Sequence, residues 1–362
     1  MPATAFQTLS KQFPDRWRTI HSARTAAELK REDFRKLIAA DVGDAGEMRS
    51  DMNLIAFGSM ARREWTTGSD VDWSILVDGQ TDPEDMRAAK RVEGKLIHAE
   101  WKKPGPSGTF GSLAFSHSLV HDIGGGGDSH VNTTRRVLML LESCSIGDGT
   151  VRDRVIRAVL ARYLEEDTHF HPSHGSRSFV PRFLLNDIVR YWRTIAVDYA
   201  NKTLEHDGRR WALRNIKLRM SRKLIFVSGL LMCFLCQLEH EAMPPQKDIF
   251  GDEDGSNLRF INFLSATVDS TPLDILSNVL LRWSVSTETV KMLLDSYDAF
   301  LAALNDAGQR EHLEKLTYVS AKNDGLFNDL RLVSKTFQEG LRRLFFEEND
   351  ELKRLAQVYA IF

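Results

Sequence analysis

Leu54-Ile-Ala-Phe-Gly-Ser-Met-Ala-Arg-Arg-Glu-Trp-Thr-Thr-Gly-Ser-Asp-Val-Asp-Trp-Ser-Ile-Leu-Val77 is the stretch whose reading decides the fold. Residues 54–57 form an apolar strand, Gly58-Ser59 a turn, and residues 60–64 the first turn of a helix. Thr66, Thr67 and Gly68 lead to a second strand over 70–77, in which Val71, Trp73, Ile75 and Val77 face one way. Asp70, Asp72 and Ser74 face the other. Two carboxylates one step apart on one strand face repel unless a cation sits between them. Oxygen-only donors favour Mg²⁺ or Mn²⁺. The Gly58-Ser59 turn adds backbone N–H groups and a hydroxyl suited to phosphate oxygens. A metal dyad beside a phosphate turn points to nucleotide chemistry.

Gly58-Ser59 followed by Ser69-Asp70-Val71-Asp72 resembles the signature of the DNA polymerase beta-like nucleotidyltransferase superfamily. Gly58-Ser-Met-Ala-Arg-Arg-Glu64 is similar to the branch holding protein-PII uridylyltransferases and glutamine synthetase adenylyltransferases. The resemblance implies an α+β fold: a small mixed-sheet domain over residues 1–147 with an N-terminal helical arm, then an all-helical domain over 148–362. It implies transfer of a nucleoside monophosphate from a triphosphate, ATP first, to a hydroxyl on a protein or small molecule, with loss of pyrophosphate. Asp70 and Asp72 would hold one or two Mg²⁺ ions. Gly58, Ser59 and Ser69 would bind the nucleotide, and Arg62, one helical turn in, suits the same phosphate oxygens.

Composition is that of an ordinary soluble globular protein rather than a bulk nucleic-acid binder. The 362 residues allow two domains with proper cores, and 48 basic against 50 acidic residues leave a net charge of −2. Bulk nucleic-acid binding is therefore not expected. Three cysteines suggest a reducing cytoplasm, and the first thirty or so residues lack a secretory apolar run. The longest apolar run, 224–236, reads as a buried helix too short to span a bilayer, so no membrane partner is expected. Oligomeric state is not readable.

Along the chain, residues 1–25 are weakly patterned and read as a partly ordered arm, with a helix over 26–40. Asp82-Pro83 starts another helix, with Asp as N-cap and Pro in the first turn. A third strand is expected over 109–115. The single glycine run, Ile123-Gly-Gly-Gly-Gly-Asp128, is either a connector or a mobile loop carrying Asp128 to the metals. From 133 onward the pattern is helical, with segments over 133–142, 151–164, 181–201, 211–238, 257–267, 272–283, 287–304 and 326–346.

Many superfamily members carry a third carboxylate on the next strand, but 109–115 contains no acid. Asp128, assigned here as the catalytic candidate, or Asp122 would fill that role, or metal and water would take the hydroxyl proton; Glu100 is a weaker candidate because its neighbours put it on a helix. Two basic stripes could wall the nucleotide: Arg182, Asn186, Arg190 and Arg193, then Asn215, Arg219, Arg222 and Lys223. The alternative is solvated faces paired with local acids. Cys233-Phe-Leu-Cys236 reads as two buried thiols, and His169, His171 and His174 as a loop. His121-Asp122 and His206-Asp207 lack the further partners of a metal phosphohydrolase. A binding protein that keeps the cleft without turnover is the rival from another functional class, and a nucleotide second-messenger synthase is a further alternative.

Overall fold

The computed structural model describes residues 3–39, 48–105, 108–165, 179–205, 210–240, 242, 256–283 and 285–360. The His169, His171 and His174 cluster and the His206-Asp207 dipeptide lie outside them. The chain opens with α1 (Ala5–Ser10) and α2 (Arg18–Ala39), then β1 (Met52–Phe57), the one-turn α3 (Gly58–Ala61), β2 (Trp73–Val77) and α4 (Pro83–His98). Next come β3 (Ser112–Phe115), α5 (Ser116–Val120), α6 (His130–Leu141) and β4 (Ser143–Ile146). The rest is helical: α7 (Thr150–Glu165), α8 (Arg182–Glu205), α9 (Trp211–Arg219), α10 (Ser221–Leu238), α11 (Ser256–Val268) and α12 (Pro272–Arg282). It continues as α13 (Thr287–Asn305), α14 (Ala307–Lys315), α15 (Tyr318–Ala321), α16 (Gly325–Phe346) and α17 (Asp350–Leu355). A small mixed sheet followed by helices is the expected α+β class.

The sheet has the order β3-β2-β1-β4. β1 pairs antiparallel with β2 (Ala56 opposite Trp73) and with β4 (Phe57 opposite Ser143), while β3 runs parallel to β2. The end of β1 and the starts of β2 and β4 therefore meet at one sheet edge. Burial on both faces sorts the strands by period two. Leu54, Ala56, Val71, Trp73, Ile75 and Val77 pack in a smaller core with Phe34 of α2 and Ala88, Val92 and Leu96 of α4. Ile55, Phe57 and Leu76 join the larger core on the other face. The alternation expected for 70–77 is present, although ladder pairing begins only at Trp73. The Asp82 N-cap and Pro83 start α4 as expected.

Residues 3–25 are more ordered than the partly ordered arm expected there. Thr4 caps α1, and Phe6, Leu9, Trp17 and Ile20 are buried. Their helical period is interrupted by positive φ at Asp15 (62°) and Trp17 (55°), so no single pattern spans them. α1 packs on α12, and α2 on α13. The larger core runs without a break across the boundary expected at residues 147 and 148. Asp274 of α12 anchors this contact, accepting from Arg24 Nη2 at 2.7 Å, Thr271 Oγ1 at 2.7 Å and the Phe6 N–H at 3.2 Å. Burial alone would raise the pKa of Asp274, but Arg24 and Thr271 hold it below the usual value. Asp274→Ala leaves the buried Arg24 uncompensated and is expected to cost about 3–5 kcal/mol. Thermal melting and limited proteolysis of residues 1–30 check this; unchanged melting contradicts it.

The apolar stretch over 211–238 is not one straight helix. Met220, at φ −112° and ψ −91°, separates α9 from α10. By length and composition Trp211–Leu238 is apolar enough to cross a bilayer, more than the sequence reading allowed for, yet 72% of its most apolar window is buried in the fold. Cys233 and Cys236 are buried free thiols there, as expected.

Candidate active site

The dyad lies on the extended segment entering β2. Val71 N–H donates to Lys102 O at 3.0 Å, Phe57 N–H donates to Asp72 O at 2.8 Å, and Val71 itself is buried. Anchoring Val71 in the core turns Asp70 and Asp72 to the opposite side. Gly58, with φ +66°, brings the start of α3 against this segment: a Cβ there would lie 2.9 Å from Asp72 Oδ2. Only glycine combines that φ with that approach. Gly58→Ala is expected to displace the Asp72 carboxylate and cut turnover by ~10²-fold, the cost of about 1 Å of misplacement. Steady-state kinetics beside a melting curve check it; parent-like turnover contradicts the close approach.

Ser59 sits half-buried in α3, and its hydroxyl has no hydrogen-bond partner among the described residues. Ser69 Oγ closes the preceding turn, accepting from Thr66 N–H at 3.1 Å.

Asp72 is crowded by negative charge. Burial first, then Asp70 and Glu142, push its pKa up to about 7, and Arg222 and Arg62 offset this only in part. Glu142 caps the C-terminal end of α6 immediately before β4 and is 7% exposed. It is the third carboxylate near the dyad, and the sequence reading missed it. Its Oε2 accepts a short bond from Arg62 Nη1, while Arg62 Nε donates to Glu64 Oε2 at 2.8 Å. Tyr297 Oη in turn donates to Glu64 Oε1 at 2.7 Å. Arg62 is therefore a clamp between two carboxylates rather than a free phosphate donor.

In metal-free protein the folded state binds the Asp72 proton more tightly than the unfolded chain does. The stability it contributes is present at low pH and lost as pH rises through about 7. In EDTA, Asp72→Asn is expected to raise the melting temperature by roughly 2–5 °C at pH 8 and change it little below about pH 4. No gain at pH 8 contradicts the crowding.

Asp70 opens onto a cleft of 1160 Å³ between the sheet edge and the helices. Asn186, Arg190 and Arg193 of α8, Arg222 of α10 and Lys217 of α9 line it. Lys217, also missed from sequence, has its pKa brought down to about 8 by burial and by Arg310, with Asp70 acting against them. The buried Tyr191 hydroxyl, in the field of Arg222, Arg62 and Glu142, has no well-formed hydrogen bond.

The other candidates are placed elsewhere. Arg219 Nε folds back to Asn215 Oδ1 at 2.7 Å, and Lys223 Nζ reaches Gln338 of α16 at 2.8 Å. The break at Met220 splits the stripe that a continuous helix would have kept together. Asp128 is paired with the fully buried Arg136, at 2.8 and 3.1 Å, and accepts from Gly124 N–H at 3.3 Å. The glycine run closes as turns around that carboxylate, with Gly125 N–H to Asp122 O at 2.9 Å and Asp128 N–H to Gly125 O at 3.0 Å. Arg190, 3.6 Å from Asp128, stands between it and the cleft. Asp122 packs against Gly125 and Gly127 of the same turns.

Among the described residues no group of three or more His, Cys, Asp and Glu is placed to hold an ion by itself. Two carboxylates are nonetheless the donor set that Mg²⁺ takes when substrate phosphates complete its shell. Burial first, and then the Asp70 and Glu142 carboxylates, make a charged Asp72 costly without a cation beside it.

Residues 4–99 match the family model described as "Putative nucleotidyltransferase DUF294". The matched span carries the Gly58 turn, the dyad and β2, and ends after α4. It supports a nucleotidyltransferase domain, in agreement with the superfamily resemblance. No curated protein matches the sequence.

Proposed function

We propose that the chain is a metal-dependent nucleotidyltransferase that moves a nucleoside monophosphate, from ATP first, onto a hydroxyl with release of pyrophosphate. The observation that carries this is the Asp70-Asp72 pair, crowded and short of positive charge, at the wall of a cleft lined by Lys217 and Arg222. Asp70 and Asp72 would hold Mg²⁺ or Mn²⁺, which would neutralise the triphosphate and lower the pKa of the attacking hydroxyl. Gly58 and Ser59 present backbone N–H groups and a hydroxyl to the leaving phosphates. Lys217 and Arg222 stabilise the charge that grows on the departing pyrophosphate. Glu142 and Arg62 position the end of α6 and the start of α3 around the dyad. The acceptor hydroxyl is on a protein or a small molecule.

A second reading, a nucleotide-binding protein without turnover, draws on one observation. Glu142 is tied to Arg62 and is not free to take the hydroxyl proton. Pyrophosphate release measured beside nucleotide titration for the parent and Arg222→Ala separates the two. The transferase loses kcat more than affinity in the variant. Binding with no pyrophosphate release from any nucleoside triphosphate establishes the second reading instead.

A further inference from the structure

The cleft is larger and more basic than one triphosphate needs. Its 1160 Å³ exceeds the roughly 300–1,000 Å³ of an ordinary small-molecule site. Among the described residues, eight Lys and Arg side chains line it against three acids, in a chain whose overall charge is −2. A triphosphate carrying divalent cations against two aspartates leaves little net negative charge, and Lys217 and Arg222 beside the dyad suffice to meet it. Arg310 and Lys102 are engaged at the turn before the dyad, by Thr66 and the Gly68 carbonyl, while Arg193 and Arg210 line the cleft from α8 and the start of α9. Arg210, at the N-cap of α9, precedes Lys217 by seven residues, about 10 Å of helix rise, and has Glu314 at 3.9 Å, while Arg193 on α8 has no ion pair among the described residues. Val189, Val197 and Leu213 line the same cleft with apolar surface.

Resting on the nucleotidyltransferase reading, we propose that the acceptor is itself a phosphate-bearing small molecule, held by Arg193 and Arg210 on the wall that α8 and the start of α9 give the same cleft. Its phosphate pairs with the guanidinium groups and its organic body lies on the valines and leucine. One of its hydroxyl oxygens is thereby turned toward the dyad. That oxygen attacks the α-phosphorus, a new P–O bond forms, and the bond to the β-phosphate bridging oxygen breaks. Pyrophosphate leaves with the electron pair, and the hydroxyl proton passes to solvent. A neutral acceptor would leave Arg193 without a counter-charge and Arg210 with Glu314 alone.

The experiment uses the full chain saturated with Mg²⁺ and the non-reacting analogue α,β-methylene-ATP, and titrates AMP or adenosine by calorimetry. AMP is expected to bind at least tenfold more tightly than adenosine. Arg193→Glu and Arg210→Glu should each narrow that ratio to less than threefold, and 0.5 M KCl should do the same to the parent. A parallel titration of glucose 6-phosphate against glucose separates a nucleotide acceptor from a sugar phosphate. A preference for the phosphate form in either pair supports the inference. Equal affinity within both pairs, or a ratio untouched by both charge reversals, overturns it. A 5′-phosphorylated oligonucleotide that binds far more tightly than AMP overturns the small-molecule acceptor. Failure of the analogue itself to bind with Mg²⁺ overturns the transferase reading and this inference together.

Discussion

Asp72→Asn is expected to lower nucleotidyl transfer on the order of 10³-fold or more, with the fold intact. The substitution keeps the shape of the side chain and removes one anionic ligand from a site whose only role for paired carboxylates is to hold positive charge. Asp70→Asn should act in the same direction, because Asp70 opens onto the cleft beside Lys217. The measurement is steady-state pyrophosphate release at saturating ATP and Mg²⁺, with circular dichroism confirming structure. Replacing Mg²⁺ with Mn²⁺, which tolerates neutral oxygen donors better, should restore part of the loss. Turnover within about tenfold of the parent in both variants removes the dyad from the chemistry.

The second large effect is on stability. Arg136 is fully buried and donates to Asp128, to Asp187 Oδ2 at 2.8 Å and to the Tyr163 hydroxyl at 2.7 Å. Tyr163 closes the set by donating to Asp187 Oδ2 at 2.6 Å. Arg136→Met leaves two enclosed carboxylates with only the partly exposed Arg190, at 3.6 and 3.9 Å, as counter-charge and is expected to cost about 3–5 kcal/mol. That corresponds to a melting temperature lower by roughly 5–10 °C. Burial would raise the Asp128 pKa, but Arg136 and the Gly124 N–H hold it below the usual carboxylate value. The stability this pairing gives is therefore present at neutral pH and lost as pH falls through the lowered pKa, so the cost of Arg136→Met should shrink in acid. Asp128→Asn should likewise lower the melting temperature and keep most of the turnover. If it destroys turnover without changing melting, Asp128 serves the chemistry and not the fold.

How far the sequence carried depended on whether a signal was local. The Gly58 turn and the alternation of Asp70, Val71, Asp72 and Trp73 lie within twenty residues, and both the dyad and its orientation were legible there. β4 was not: Ser143-Cys-Ser-Ile146 has no β-branched residue before its last position and reads as a linker. Glu142 stood at the end of an apolar helix and took its meaning only from β4 pairing with β1. Arg219 is tied to Asn215 within α9, and Lys223, beyond the backbone break at Met220, reaches Gln338 instead of the cleft. The same break leaves Arg222 on the cleft. Asp128 shows the opposite limit. A glycine run before an acid suggests mobility, yet the partner that fixes it, Arg136, lies eight residues on and inside the core.

The central claim is that Asp70 and Asp72 hold a metal–triphosphate complex in the cleft. Calorimetric titration of ATP into the parent with Mg²⁺, into the parent with EDTA, and into Asp72→Asn with Mg²⁺ tests it most directly. The account predicts saturable binding in the first titration and affinity at least tenfold weaker in the other two. Equal affinity in all three would contradict it and leave the dyad a structural pair.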